Sequence, residues 1–270
     1  MEPQKLVLFV LSCDAYQDLW DDFFSLRDKY WADCPFKWYL VTETADFCHN
    51  NVTVIKCGDN LNWAGRLKHA IKSVDSHYYG IFLEDYFIYE KIQNEIIIDL
   101  IEIMEKHGVT FLNTSDVFRN CIGMKNKSYF RDNLILIPNN KRYGVSTEAG
   151  IWQREYLLEK LGDSDYSAWQ FEVDRVNEAK SEAGLGGFNL CDDRMPFHAS
   201  IIPVVIQGKV YPPSRRFFNK QGYTFKTQRE NMSLKQVLLY RLKVKAARIK
   251  YGRRLIKWIA IKCLGMKFFS

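Results

Sequence analysis

Apolar positions along the first half of the chain alternate between two periods. Residues 6–11 form an unbroken apolar run, the pattern of a strand covered on both faces. In residues 18–30, Leu19, Phe23 and Leu26 recur at helical spacing. Lys37–Thr42 (KWYLVT) and Val52–Lys56 (VTVIK) predict a second and a third strand. Residues 63–74 predict a helix with Leu67, Ala70, Ile71 and Val74 on one side. Residues 78–82 predict a fourth strand, running into Glu84 and Asp85. Residues 93–107 predict a helix closed by Gly108, and 109–112 a fifth strand.

This strand–helix alternation predicts an α/β fold with an open, mostly parallel sheet and helices on both faces. Such sheets bind ligands at the carboxyl ends of their strands. Here those ends carry Ser12-Cys13-Asp14, Thr42-Glu43-Thr44, Glu84-Asp85 and Asn113-Thr114-Ser115-Asp116, a polar and acid-rich set. The turn after the first strand, Leu11-Ser12-Cys13-Asp14-Ala15, lacks the glycines of a dinucleotide-binding loop. Further along, 134–137 predicts a strand, 138–140 a turn, and 147–161 and 168–183 two helices. Gly184, Gly186 and Gly187 mark a break, and 201–211 reads as strand, turn, strand. Residues 212–228 are polar and rich in turn formers, which predicts a mobile loop.

Composition changes the picture at the C-terminus. The chain has 270 residues and a net charge of +6, enough for one large domain with a small appendage. After Glu230 there are eleven Lys and Arg and no acidic residue, which leaves the first 230 residues at −5. Residues 1–230 are therefore read as the domain and 231–270 as a basic helical tail. Beyond Gly252, Leu255, Ile256, Ile259 and Cys263 fall on one helical side. The tail reads as an interfacial segment for an anionic membrane surface. A helix packed on the body and a nucleic-acid contact are the other readings. No basic groove with interleaved aromatics is visible, so no nucleic-acid partner is expected. Seven cysteines without CxxC spacing read as reduced thiols, and no apolar stretch is long enough to span a bilayer. The expected location is cytoplasmic, peripheral on the inner face of the cell membrane.

The sharpest chemical feature is Glu84-Asp85, two carboxylates at a strand end. Adjacent strand residues face opposite ways, so one acid can enter a cleft while the other braces it. A hard cation, Mg2+ or Mn2+, suits such carboxylates completed by phosphate oxygens. A solvated strand end with a helix cap is the plainer reading. Residues 62–70 (NWAGRLKHA), followed by the strand into Glu84-Asp85, resemble the donor site of glycosyltransferases with the GT-A fold. The layout over roughly residues 5–210 is similar to bacterial enzymes of capsule and lipopolysaccharide O-antigen assembly. Glu84-Asp85 departs from that fold's DxD-type motif. The resemblance implies a nucleotide-sugar donor, UDP-linked by preference, and a glycan or lipid-linked glycan acceptor. It implies that Asp85, with Glu84, approaches the metal and diphosphate. It implies that Trp63 or Arg66 lies against the nucleotide and that Asp14 meets the base or ribose. Core packing for Trp63, a surface charge for Arg66 and a helix cap for Asp14 remain open.

Inverting transfer to a sugar hydroxyl needs a base. Glu172, in Ser167-Ala168-Trp169-Gln170-Phe171-Glu172, is the candidate, with Asp174 as substitute; a helix N-terminal acid is the alternative. Tyr143, Trp152 and Trp169 are candidates for the acceptor side, Trp152 being equally a core residue. His198 is a second candidate metal ligand or a structural histidine. Lys209 and Arg215 are candidates for the diphosphate, or solvated charges. A nucleotidyltransferase and a non-enzymatic membrane- or RNA-binding module are the competing functions.

Overall fold

The computed structural model describes residues 4–115, 124, 126–199 and 202–248, with side chains described through residue 242. The chain begins with β1 (Gln4–Leu11), a 3-10 turn (Asp14–Leu19), α1 (Trp20–Trp31), β2 (Lys37–Thr42) and β3 (Val52–Lys56). It continues through α2 (Trp63–Ser73), β4 (Ser76–Leu83), α3 (Asn94–His107) and β5 (Phe111–Asn113). Then come β6 (Tyr129–Arg131), β7 (Leu134–Leu136), β8 (Gly150–Gln153), α4 (Arg154–Leu161), α5 (Ala168–Glu178) and β9 (Asn189–Asp192). A small hairpin, β10 (Val205–Ile206) and β11 (Lys209–Val210), precedes α6 (Pro212–Lys220) and α7 (Leu234–Arg248).

Nine strands form one sheet in the order β3-β2-β1-β4-β8-β5-β9-β7-β6. β8 and β7 run against the other seven, so the sheet is mostly parallel. Helices cover both faces because successive residues of β1 point opposite ways. Leu6, Leu8 and Val10 join Trp20, Phe23 and Phe24 of α1 and Leu100 and Met104 of α3 in one core. Val7, Phe9 and Leu11 join Leu67 and Ile71 of α2, Leu157 of α4 and Phe171 of α5 in the other. Gly108 ends α3 at φ 68°, a left-handed conformation that glycine adopts without a Cβ penalty.

Two expectations are corrected. Residues 147–161 are not one helix: Gly150–Gln153 is a strand, inserted between β4 and β5 and antiparallel to both. A short apolar stretch buried on both faces satisfies either period, and here the sheet's hydrogen bonds decide. Residues 212–228 are not a mobile loop. Pro212 and Pro213 occupy the first turn of α6, where a missing N–H costs nothing. Residues 221–230 then run back over the start of α1 as a strap. Its anchor is Asp22, wholly buried, which accepts the Tyr223 hydroxyl at 2.8 Å and the Lys226 and Thr227 amides at 2.9 and 3.2 Å.

Helix α7 docks through Val237 against Tyr211 and Met232, with Tyr240 edge-on to Tyr211. The amphipathic side expected at Leu255, Ile256, Ile259 and Cys263 lies outside the described residues. Among the described residues, no helix is long and apolar enough to cross a membrane. The described cysteines Cys13, Cys34, Cys48, Cys57 and Cys191 are unbridged.

Candidate functional site

The chain winds from β1 outward to β2 and β3, then crosses back through α2 to β4 on the other side of β1. The strand order therefore reverses between β1 and β4. Such a reversal opens a crevice at the carboxyl ends of the strands. Glu84 and Asp85 stand at that crevice. A tight turn holds them, in which the Tyr86 amide donates to the Leu83 carbonyl at 3.2 Å. The Asp85 carbonyl accepts the Val204 amide at 2.9 Å, fastening the segment before β10 to the same turn.

Glu84 is buried and Asp85 half-buried. Burial pushes both carboxyls well above the usual range, and the Asp85 charge pushes Glu84 further. The counterweights are weak: each residue's own amide, the Arg229 guanidinium and, for Glu84, Arg66.

Arg66 projects from the first turns of α2. Its Nη1 donates to Glu43 Oε1 at 3.0 Å and to the Leu61 carbonyl at 2.7 Å, while its buried Nε has no protein partner. The buried indole Nε1 of Trp63 also lacks one, its ring lying 5.3 Å from that of Phe171. Asp165 fixes this end of α2 by accepting the Asn62 amide at 2.8 Å and the Gly65 amide at 2.7 Å. The approach is so close that a Cβ on Gly65 would lie 2.7 Å from Asp165 Oδ1, so a side chain there would push the cap away.

The second guanidinium comes from the far end of the chain. The strap places Arg229 against Asp18, with Nε to Oδ2 at 2.8 Å and Nη2 to Oδ1 at 2.7 Å. The Ala15 carbonyl also accepts from Arg229, whose guanidinium stands 4.5 Å from the Tyr16 ring. Burial would raise the Asp18 carboxyl, but Arg229 and Thr227 outweigh it and hold it below the usual range.

Tyr86 follows Asp85 in the same turn. Burial raises its hydroxyl far above the phenol range, and the charges of Asp85, Glu148 and Glu172 raise it further. Glu172 Oε1 accepts the Thr147 amide at 2.6 Å and the Thr147 hydroxyl at 2.8 Å. Its carboxyl is still raised, because burial outweighs those two bonds. Asp85 and Glu172 thus lie within electrostatic reach of one phenol, although 87 positions separate them in sequence.

Other predicted residues fall elsewhere. The Asp14 carboxylate is spent on the amides of Glu43, Thr44 and Ala45 and on the Thr44 hydroxyl, bracing the end of β2. The Trp152 ring is enclosed by Phe111, Tyr156 and Phe171 and offers no open face. Trp169 is 60% exposed on α5. Tyr143 is half-buried with φ 57°. Asp174 accepts from the Gln170 side chain at 2.8 Å. Lys209 pairs with Glu230 at 2.8 Å on the surface, and Arg215 lies over Phe225. His198 stands edge-on to Tyr89, its Nδ1 4.0 Å from Glu90.

A hard divalent cation takes one or two carboxylates completed by phosphate and water oxygens. Glu84 and Asp85 fit that donor set, since a cation relieves the cost of their buried charge. Among the described residues no three His, Cys, Asp or Glu side chains form a metal-holding group, so the remaining ligands would be substrate and water oxygens. Sequence reasoning placed Glu43 among the acid-rich strand ends without a specific role, and gave none to Tyr86, Glu148 or Arg229. Tyr86 directly follows the Glu84-Asp85 pair. Arg229 lies more than 200 positions from Asp18, with no local pattern to mark it.

No family profile matches the chain, and no curated protein sequence matches it. Among solved structures it is similar to S. aureus TarS, with a TM-score of 0.46 and 12% identity over 70% of this chain and 35% of that one. It is similar to a cytidylyltransferase from Leptospira borgpetersenii, with a TM-score of 0.44 and 10% identity over 92% of this chain and 98% of that one. It is also similar to UDP-glucose pyrophosphorylase complexed with UDP-glucose, with a TM-score of 0.41 and 7% identity over 70% of this chain and 90% of that one.

Proposed function

We propose that the protein is a glycosyltransferase that moves a sugar from a nucleotide-diphosphate donor, UDP-linked by preference, to a glycan or lipid-linked acceptor in surface-glycan assembly. One observation carries this reading: the carboxylates of buried Glu84 and half-buried Asp85 stand together in the turn that ends β4, at the switch point of the sheet. Desolvated carboxylates at a strand end suit a cation-bound diphosphate. Asp85 and Glu84 would hold Mg2+ or Mn2+, which supplies positive charge to the departing diphosphate. Arg229 and Arg66, paired with Asp18 and Glu43, add more remote positive charge. The orphaned donors of Trp63 and Arg66 suit acceptor atoms of a nucleotide, because buried donors seek partners.

Glu172 is the base of the proposal. Its Oε1 is held by Thr147, and burial makes its carboxylate a better proton acceptor. It takes the acceptor hydroxyl proton as oxygen bonds to the anomeric carbon and the bond to the diphosphate breaks. The product is inverted at that carbon.

The test begins with calorimetric titration of UDP, with and without Mn2+, into the wild type and Asp85→Ala. Binding that requires both the cation and Asp85 is expected. Turnover is then read as release of UDP from a UDP-sugar; release of pyrophosphate from a nucleoside triphosphate would assign the protein to the nucleotidyltransferases instead. Glu172→Gln should lower turnover by about 100-fold or more while leaving donor affinity intact. Failure to bind UDP, GDP, CMP or dTDP under any condition would sink the enzymatic reading.

A further inference from the structure

Helix α7 has two unlike sides. Val237 is buried and Tyr240 half-buried, and the Arg241 guanidinium donates to the Tyr211 hydroxyl at 3.3 Å. These contacts hold the helix on the body. Leu234, Leu238 and Leu242 recur every four residues, so they climb one side of the helix together. They are 89%, 59% and 51% exposed, three of the six large hydrophobic residues that stand out from the described surface. Scattered surface leucines need no explanation, but an aligned row does.

The charge around that row narrows what can cover it. The helix Leu234–Arg248 carries Lys235, Arg241, Lys243, Lys245 and Arg248 and no acid, and the residues that follow add six more cations and no acid. A second copy meeting the same face would bring two uncompensated basic helices together, which repel. A nucleic acid would satisfy the charge but not the leucines, since bases stack on aromatic rings and not on aliphatic side chains. An anionic bilayer satisfies both: its headgroups take the cations and its acyl boundary takes the leucines.

We propose that α7 is a membrane-docking helix that seats Leu234, Leu238 and Leu242 in the acyl boundary of an anionic lipid surface. The surface itself stands on exposure and charge and is independent of the reaction assigned to the crevice.

The test uses the full chain and vesicles of phosphatidylcholine with phosphatidylglycerol, against vesicles of phosphatidylcholine alone. Co-sedimentation with the anionic vesicles is expected, weakening as salt is raised. The triple variant Leu234→Ser/Leu238→Ser/Leu242→Ser should partition on the order of tenfold more weakly, since three buried apolar anchors are lost. Its melting temperature and nucleotide affinity should match the wild type, because the three side chains stand clear of the body. Undiminished vesicle binding by that variant overturns the proposal. So does absence of vesicle binding together with a leucine-dependent dimer in solution, or with tight binding to single-stranded RNA.

Discussion

Two acidic sites on this protein are desolvated alike and partnered differently. Asp22 is wholly enclosed, yet two amides and a phenol hydroxyl point at it. Glu84 and Asp85 sit at the sheet's crevice with little beyond their own amides and distant guanidinium groups to offset their burial. A folded chain tolerates a buried carboxylate cheaply when donors are built around it. The Asp22 site draws its donors from the protein alone, although burial still raises its carboxyl, and its task is to hold the strap. The Glu84–Asp85 site lacks such donors, which is expected where a bound cation completes the charge balance.

The largest difference should appear on neutralising each site. Asp85→Asn should lower transfer by about 1000-fold, since cation and diphosphate stabilisation is lost. It should leave the melting temperature of the cation-free protein level or higher, because the cost of a buried charge disappears. A lowered melting temperature with transfer unchanged in Asp85→Asn would erase the contrast. Asp22→Ala should behave in the reverse sense. It strands two amides and a hydroxyl in the interior, so a loss of about 3 kcal/mol in urea unfolding is expected. Unchanged stability would mean that the strap is held by Asp18 and Arg229 alone.

The sequence exposes one of these sites and hides the other. Glu84-Asp85 is legible because an apolar strand runs straight into two carboxylates, and the strands 37–42 and 52–56 are legible as bounded apolar runs. The Asp22 anchor is not, because its donors lie more than 200 positions away. Strap and Arg229 are tertiary facts that no local period encodes. The strand at Gly150–Gln153 was masked by its own neighbours, whose composition suits a helix, until pairing with Tyr78–Ile81 and Phe111–Asn113 fixed it. Helix α6 did carry a readable signal, since paired prolines open a helix as readily as they break one. Trp152 reads from the sequence equally as a sugar platform or a core residue, and only its covered faces decide for the core.

Proton linkage sharpens the contrast with a smaller effect. Glu84 and Asp85 ionise in the folded state above their ordinary range, so across that window the native state holds more protons than the unfolded one. Stability of the cation-free protein should therefore fall as pH rises from about 5 to about 8, most steeply between the ordinary and the raised values, where the two states differ most in bound protons. Mn2+ affinity should rise over the same interval, because the cation takes the deprotonated carboxylates. Asp85→Asn should weaken both trends without abolishing them, since burial also raises Glu84, Glu172 and Asp22. A melting temperature that climbs through this interval, with Mn2+ affinity independent of pH, would place the pair among ordinary solvated acids.

The smallest effect belongs to Trp169, which lies outside both acid sites. Its ring is 60% exposed on α5, three positions before Glu172. Trp169→Ala removes little packed surface, so stability should stay within about 0.5 kcal/mol of the wild type. If the ring carries an acceptor sugar beside the proposed base, the acceptor KM should rise about threefold to tenfold, the loss of one aromatic face. Donor affinity and its dependence on Mn2+ should not move, because α2, the end of β4 and the strap are untouched. A drop in donor affinity instead would join Trp169 to the nucleotide, and the acceptor would then have to approach from the side of Tyr143.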